Sequence, residues 1–469
     1  MKRIILLAIG AIALLGAKAQ LTIEQCHQLA HDNWPLIKQY GLIEQSSSYT
    51  LDNLKHSWLP QVNLTAQATY QNETPSFPDQ MNAMLASSGL EMQGLAKDQY
   101  RVQLDVSQKV FDGGKANSEQ ALTQAQDLEQ KAQTDVDLYS LNKRVNDLFF
   151  GVLLLDDRIR QTDMTLEMLY GNLDKLQSHV RNGVATTADE SMLRAEILTV
   201  EQSKTTMVWN RDAYKHMLEI LIGQQVGDRY LVRPTATEPI STNVNRPELQ
   251  LIDARIGTIN AREKAINASV LPVISVFGQA FYGYPGYNTF ENMTSRKWSL
   301  NAMVGIRATW SLSSLYDRKN NLNRLATARQ QAQVQRDVFL LNTRLEASHE
   351  NDEISRLREL IESDETIVGL RRDVRLAEES KLRNGVIDIH RLVERITDEN
   401  TATQTQIIHN IELLKTIYDL KNTVNQLKRY YSSSALLRFP LLAAITAIGM
   451  PPALSRPPKW WCRHNALAR

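Results

Sequence analysis

The sequence of 469 residues predicts a mixed α+β membrane protein. Four β-strands per chain contribute to a barrel shared between subunits, and the strands continue into long α-helical coiled coils. Three observations carry this prediction. One structural plan is written twice: "SWLPQVNLTAQATYQ" from Ser57 returns as "SVLPVISVFGQAFYG" from Ser269, and "RNGV" at Arg181 returns at Arg383, in the same order. Three segments alternate apolar and polar residues over about ten positions, the mark of a strand with one apolar face, and a fourth of similar length is apolar on both faces. Between the strand pairs lie helical patterns far longer than a globular domain uses.

The elements follow in chain order. "MKRIILLAIGAIALLGAKA" joins a basic start at Lys2 and Arg3 to an apolar run and an A-x-A site, so residues 1–19 are expected to be a secretory signal peptide. Residues 20–236 form the first repeat and 237–427 the second. The chain carries 53 Lys plus Arg against 52 Asp plus Glu, a net charge of +1 that offers no field for nucleic acid. Its 2 cysteines make no disulfide framework.

The first strand, about 61–70, sets Val62 and Leu64 against Gln61, Asn63 and Thr65; its partner, about 100–110, sets Val102 and Leu104 against Arg101 and Gln103. In the second repeat a strand over about 298–310 sets Val304 and Ile306 against Arg307 and Thr309, while about 273–282 is apolar on both faces and is the weaker strand pattern. A soluble sandwich also alternates, but needs more strands joined by shorter turns. Ten-residue strands, tilted, span a bilayer, and Tyr70, Tyr100, Tyr282, Tyr284, Trp298 and Trp310 sit near strand ends where interfacial aromatics belong. A membrane barrel is therefore expected, with Val62, Leu64, Val102, Leu104, Val304 and Ile306 facing lipid. Four strands cannot close such a barrel, and open edges cannot face hydrocarbon. Subunits must share it; two, three or four copies all satisfy the arithmetic.

Pro60 and Pro272 stand where helix gives way to strand, because Pro ends a helix and extends the residue before it. Asp112-Gly113-Gly114 marks the return from strand to helix. A helical pattern then runs from about Lys115 to Val180 without Pro, followed by another from about Asp189 to Ile222. Counterparts run from Arg318 to about Leu382 and from Asp388 to Gln426. Each long pair meets at "RNGV", where Gly183 and Gly385 supply a left-handed stop and Arg181 and Arg383 place cations at helix C-termini.

The repeat, "LTIEQCHQLAHDN" after the leader, the Leu-Pro junctions, "FDGGK" and the doubled "RNGV" together resemble the TolC-type outer membrane efflux proteins, over roughly Leu21 to Gln426. The resemblance implies a homotrimer with one twelve-stranded barrel in the outer membrane of a Gram-negative bacterium, continued by an α-helical barrel through the periplasm. It implies the outer membrane channel of a tripartite efflux or type I secretion system, fed by a periplasmic adaptor and, through it, an inner-membrane transporter. It makes Arg181, Gly183, Val184, Arg383, Gly385 and Val386 the adaptor-contact tips. Family members carry acids six positions past each tip glycine and another nine past the second, which here are Asp189, Arg391 and Glu394. Asp189 and Glu394 are thus expected at the channel entrance, with Arg391 modulating them, alone or by pairing with Asp388 or Glu394. The rival from another class is a periplasmic coiled-coil adaptor or structural protein that never enters a membrane.

No catalytic motif stands out: there is no P-loop, G-x-S-x-G or H-E-x-x-H, so no enzyme activity or cofactor is expected. His27 and His31 share a helix face, but with Cys26 pointing elsewhere from His31 they lack the convergent ligands of a metal site. Residues 428–469 depart from the family, with seven Lys and Arg from Lys428 to Arg469 and no acid. Arg438, Pro440, Pro451 and Pro452 argue against a membrane helix there, and this tail is expected to be poorly ordered.

Overall fold

The computed structural model describes residues 20–89, 94–227, 230–235, 243–384 and 387–426. The leader at 1–19, Gly385, Val386 and the tail at 428–469 lie outside the described residues.

Thr22 opens α1 (Ile23–Asn33) with a capping box, its hydroxyl accepting the Gln25 N–H while the Gln25 side chain accepts the Thr22 N–H. A 3-10 turn, Pro35–Lys38, leads into α2 (Gln39–His56). Pro60 stops the helical run, and β1 (Gln61–Tyr70) begins one residue later. After the short α3 (Asp79–Ser87) comes β2 (Asp98–Phe111). The return to helix turns on Asp112, whose carboxylate accepts the N–H groups of Gly114 (2.8 Å) and Ala116 (2.7 Å). Gly113 and Gly114 both hold positive φ, and a Cβ on Gly113 would lie 2.6 Å from the Leu271 Cβ. The glycine turn of one repeat thus packs against the Leu-Pro junction of the other.

The helices that follow are α4 (Lys115–Tyr139), α5 (Leu141–Arg181) and α6 (Thr187–Ile222). The single helix expected from Lys115 to Val180 is interrupted at Ser140. Its hydroxyl donates to the Asp137 carbonyl at 2.8 Å, and the neighbouring Tyr139 hydroxyl donates to the Asn422 carbonyl. Serine competes for backbone acceptors in this way, and the break is where sequence periodicity is blind. The second repeat supplies α7 (Pro247–Ser269), β3 (Val273–Tyr284), the short α8 (Thr289–Thr294), β4 (Ser299–Thr309), α9 (Ser314–Arg383) and α10 (Ile389–Thr423). The unbroken α9 has 70 residues, about 105 Å at ~1.5 Å per residue.

The strands form one antiparallel sheet in the order β1-β2-β3-β4. In the helical part α4 packs on α7, α5 on α6 and α9 on α10, with α10 also against α5. One core gathers Ile23 and Cys26 with Phe149 and Phe150, Leu218 and Ile222, and Ile411. It clamps α1 across the long helices. Among the described residues no helix is long and apolar enough to cross a membrane; that says nothing of the strands.

Candidate channel wall and periplasmic tips

Sheet register decides which side chains share a face. Val62 pairs with Val106, Leu64 with Leu104 and Ala66 with Val102. Those β2 residues pair with Gly278, Ala280 and Tyr282 of β3, which pair with Val304, Ala302 and Leu300 of β4. Ile306 lies two residues beyond Val304, opposite Val276. All six side chains expected to face lipid therefore lie on one apolar face. That face is unusually open for apolar residues: Leu64 is 74% exposed, Val304 80% and Ile306 76%. Tyr100, Tyr282 and Trp298 gather at one rim, with Trp298 stacked 6.0 Å from Tyr100 and tilted against Tyr282 at 5.5 Å.

The opposite face explains why β3 is apolar on both sides. Phe277 and Phe281 lie on the polar face, and each supports an arginine from a neighbouring strand. The Arg101 guanidinium carbon stands 4.2 Å from the Phe281 ring centre, and that of Arg307 stands 4.5 Å from Phe277. Such contacts contribute ~0.5–1 kcal/mol at exposed sites. A Cβ on Gly305 would meet the Phe277 ring at 3.0 Å, so the glycine opposite leaves the ring its place. Sequence reasoning missed these clamps because they run diagonally between strands, and only the register reveals them.

At the first tip α5 ends as the glycine predicts. Gly183 has φ 75°, its N–H donates to the Val180 carbonyl at 3.0 Å, and the Val184 N–H donates to the His179 carbonyl at 2.9 Å. This paired closure satisfies carbonyls that the helix end would leave orphaned. Arg181 is exposed and donates to the Ser178 hydroxyl at 3.0 Å; Val184 is 74% exposed. Thr186 then caps α6. Its hydroxyl accepts the Asp189 N–H at 3.2 Å, and Asp189 Oδ2 accepts the Thr186 N–H at 3.0 Å and hydroxyl at 2.7 Å. Hydrogen bonds from Thr186 hold the Asp189 carboxyl below its ordinary range.

At the second tip Asp388 caps α10 by accepting the Arg391 N–H at 3.0 Å. The expected side-chain partnership of Arg391 is corrected here. The Asp388 carboxylate takes the backbone of Arg391, and Glu394 pairs with Arg395 at 3.0 Å instead. Arg383 ends α9. The two tips pack together through one core that includes Leu173, Leu176, Leu193, Ile197, Leu392 and Ile396. Across it the Met192 sulfur lies 3.0 Å from His390 Nδ1, and the Thr397 hydroxyl donates to Glu196 at 3.4 Å. The helices that carry Asp189 and Glu394 are therefore neighbours within one subunit.

Elsewhere, Cys26 is fully buried and burial pushes its thiol up to about 12. His27 Nε2 is bonded to Asn146 Oδ1 at 2.9 Å, and burial lowers its pKa. Among the described residues no group of three or more His, Cys, Asp or Glu side chains is placed to hold a metal. A cleft of about 490 Å³ opens beside the Ser140 break, lined in part by Tyr139, Lys143, Arg246, Glu346, Glu350 and Asp419. Within it Glu350 Oε2 and Asn422 Oδ1 are buried acceptors with no partner among the described residues.

With this geometry in place, comparison with known proteins gives a family match for the first repeat and a shared fold for most of the chain. The family model for the outer membrane efflux protein matches residues 27–223. Residues 27–223 are therefore similar to the outer membrane efflux protein family. The match spans the first repeat, and the second repeat rebuilds the same order of strands and helices. No curated protein matches the chain in sequence. Solved structures match it in fold: the CusC channel with TM-score 0.64, 12% identity and coverage of 86% of this chain and 91% of that one; the VceC outer membrane protein of Vibrio cholerae with 0.62, 13%, 86% and 95%; and the open state of the Neisseria gonorrhoeae MtrE outer membrane channel with 0.60, 12%, 86% and 88%. The chain thus shares the fold of solved outer membrane channels over 86% of its length, and its first repeat matches the outer membrane efflux protein model.

Proposed function

We propose that three copies of this chain form one passive efflux conduit. It carries substrates from a periplasmic adaptor, and through it an inner-membrane transporter, to the cell exterior. Efflux by a tripartite pump and type I secretion both use such a conduit. The observation that carries the reading is the sheet itself. It exposes a face that is apolar apart from Asp98 and Gln108 at its two ends, while β1 and β4 each pair on one side only. A sheet edge left open in hydrocarbon strands its N–H and C=O groups, so β1 of one copy must meet β4 of the next. Three copies give twelve strands, the number expected from the family.

The helices support the same assembly. On α6 Leu198, Trp209 and Ile220 recur every eleven residues and are exposed; on α9 Val334, Leu345 and Ile367 fall on that same period, with Arg356 between the last two, and Val338 and Leu341 lie beside them. An eleven-residue period is 3.67 residues per turn, close to that of a straight helix, so each stripe runs nearly along its axis. Stripes of this kind are seams awaiting a neighbouring helix.

Arg181, Gly183, Val184 and Arg383, with Gly385 and Val386 outside the described residues, are the surface we assign to adaptor docking. Crosslinking in detergent tests the assembly: trimers are expected, and extraction from the outer membrane should require detergent. A stable monomer in detergent-free buffer would overturn the conduit.

A further inference from the structure

We infer that the inner wall of the barrel is an anion-favouring belt, built from Arg101, Lys109 and Arg307 and suited to carboxylate-, sulfate- or phosphate-bearing solutes. The inference rests on the conduit reading, in which the face opposite Val62 and Leu64 lines the lumen. That face carries four ionisable side chains on its strands: Arg101, Asp105, Lys109 and Arg307. Cations outnumber carboxylates three to one. Among the described residues no carboxylate lies within ion-pair distance of Arg101, Lys109 or Arg307, although such pairs are frequent on the helices, as between Lys415 and Asp147 at 2.8 Å.

Register places these charges at three heights. Lys109 and Arg307 both lie opposite Ser275, so they share one level near the helices. Asp105 lies opposite Gln279 and accepts a hydrogen bond from Gln103 Nε2 at 2.7 Å. Arg101 lies opposite Gly283, towards the outer rim. Four residues separate successive levels, ~14 Å at ~3.4 Å per residue. Each guanidinium leans two residues towards Asp105 to reach its phenylalanine, but one carboxylate per copy against three cations leaves the wall with a net positive charge. Repeated in three copies, the lower level is a ring of six cations and the upper a ring of three.

The arginines are fixed as well as unpaired. Phe281 lies beneath Arg101 and Phe277 beneath Arg307, and Phe281 is itself steadied by the Tyr287 ring at 5.0 Å, edge to face. A guanidinium laid on an aromatic ring keeps its N–H edges free for a planar acceptor. Charged rings of this kind set the selectivity of a pore.

The test uses the full-length assembled protein in planar bilayers under a potassium chloride gradient. The variants are Arg101→Gln with Arg307→Gln, and Arg101→Lys with Arg307→Lys. At 0.1 M salt the Gln pair should lower the chloride-to-potassium permeability ratio by roughly twofold or more relative to the parent. The Lys pair should keep the parent ratio. At 1 M salt, where the Debye length is ~3 Å, the Gln pair and parent should converge. Tripolyphosphate added on the barrel side should block the parent and the Lys pair but spare the Gln pair. A Gln pair matching the parent at 0.1 M overturns the belt, and so does a Lys pair as altered as the Gln pair, which would make the effect one of packing. Absence of any conductance in the parent overturns the conduit itself, and the belt with it.

Discussion

Asp189 Oδ2 accepts hydrogen bonds from both the backbone and the hydroxyl of Thr186, which makes the expected entrance acid half of a helix-capping box. A capping carboxylate and a gating carboxylate are separable, because Asn at this N3 position keeps an amide oxygen to accept the Thr186 N–H without carrying charge. If Asp189 lines the entrance, Asp189→Asn with Glu394→Gln should reduce cation preference and weaken block by trivalent cations, with the tip still folded. If Asp189 only caps, Thr186→Ala should match Asp189→Ala in tip disorder, at a cost of ~1 kcal/mol, and the charge-neutral pair should behave as the parent. Single-channel recording beside hydrogen exchange at the tip separates the two.

The lipid face makes a depth-dependent prediction. Leu64→Arg places a cation opposite Leu104 on the exposed apolar face, and at midplane this should cost ~2–4 kcal/mol. Asn63→Arg, one residue away on the opposite face, should be mild. Heat resistance of the assembled trimer in detergent measures both. Equal losses at the two positions would refute the facing assigned here.

Gly183 separates tip geometry from docking. A Cβ there meets no atom within 4 Å, so a side chain would project freely, and the cost lies in the left-handed φ of 75°, ~1–2 kcal/mol for an L-residue. Gly183→Leu should therefore leave the assembly in the outer membrane while transport falls. Export assays in cells that hold normal amounts of the variant check this. Retained transport would move docking to another part of the helical barrel.

Much of this architecture is written in local patterns. Period-two alternation gave Leu64 and Val304 a common face because a strand's side chains cannot choose otherwise, and Gly183 announced a helix stop because only glycine sits easily at that φ. What stayed hidden depends on partners distant in sequence. The break at Ser140 leaves the apolar period intact. Phe277 and Phe281 made β3 look two-faced until Arg307 and Arg101 were found above them. Of the two roles expected for Arg391, acting alone or pairing with Asp388 or Glu394, the pairing is not formed: the first spends its carboxylate on a backbone N–H and the second turns to Arg395. Spacing along one helix says which groups can meet, and competition at its first turn decides which do.

Glu350 supplies a pH dependence whose sign is fixed. Burial pushes its carboxyl up to about 7, and Glu346 and Asp419 add to the rise, while a hydrogen bond from Thr423 (3.0 Å) and the Lys143 charge oppose it. The folded protein therefore holds this proton more tightly than the unfolded chain, whose carboxyl titrates near ~4.3. Between these values the folded state binds more protons, so stability falls as pH rises, and the loss is complete above the folded pKa. Glu350→Gln keeps an acceptor for the Thr423 hydroxyl and removes the buried charge. Its thermal midpoint should exceed the parent's at pH 8, and the difference should shrink as pH falls and level off below ~4.3, where Glu350 is protonated in both states. Thermal unfolding of both proteins across that range gives the answer. A gap that stays constant with pH would assign the effect to packing in the cleft rather than to the carboxyl's charge.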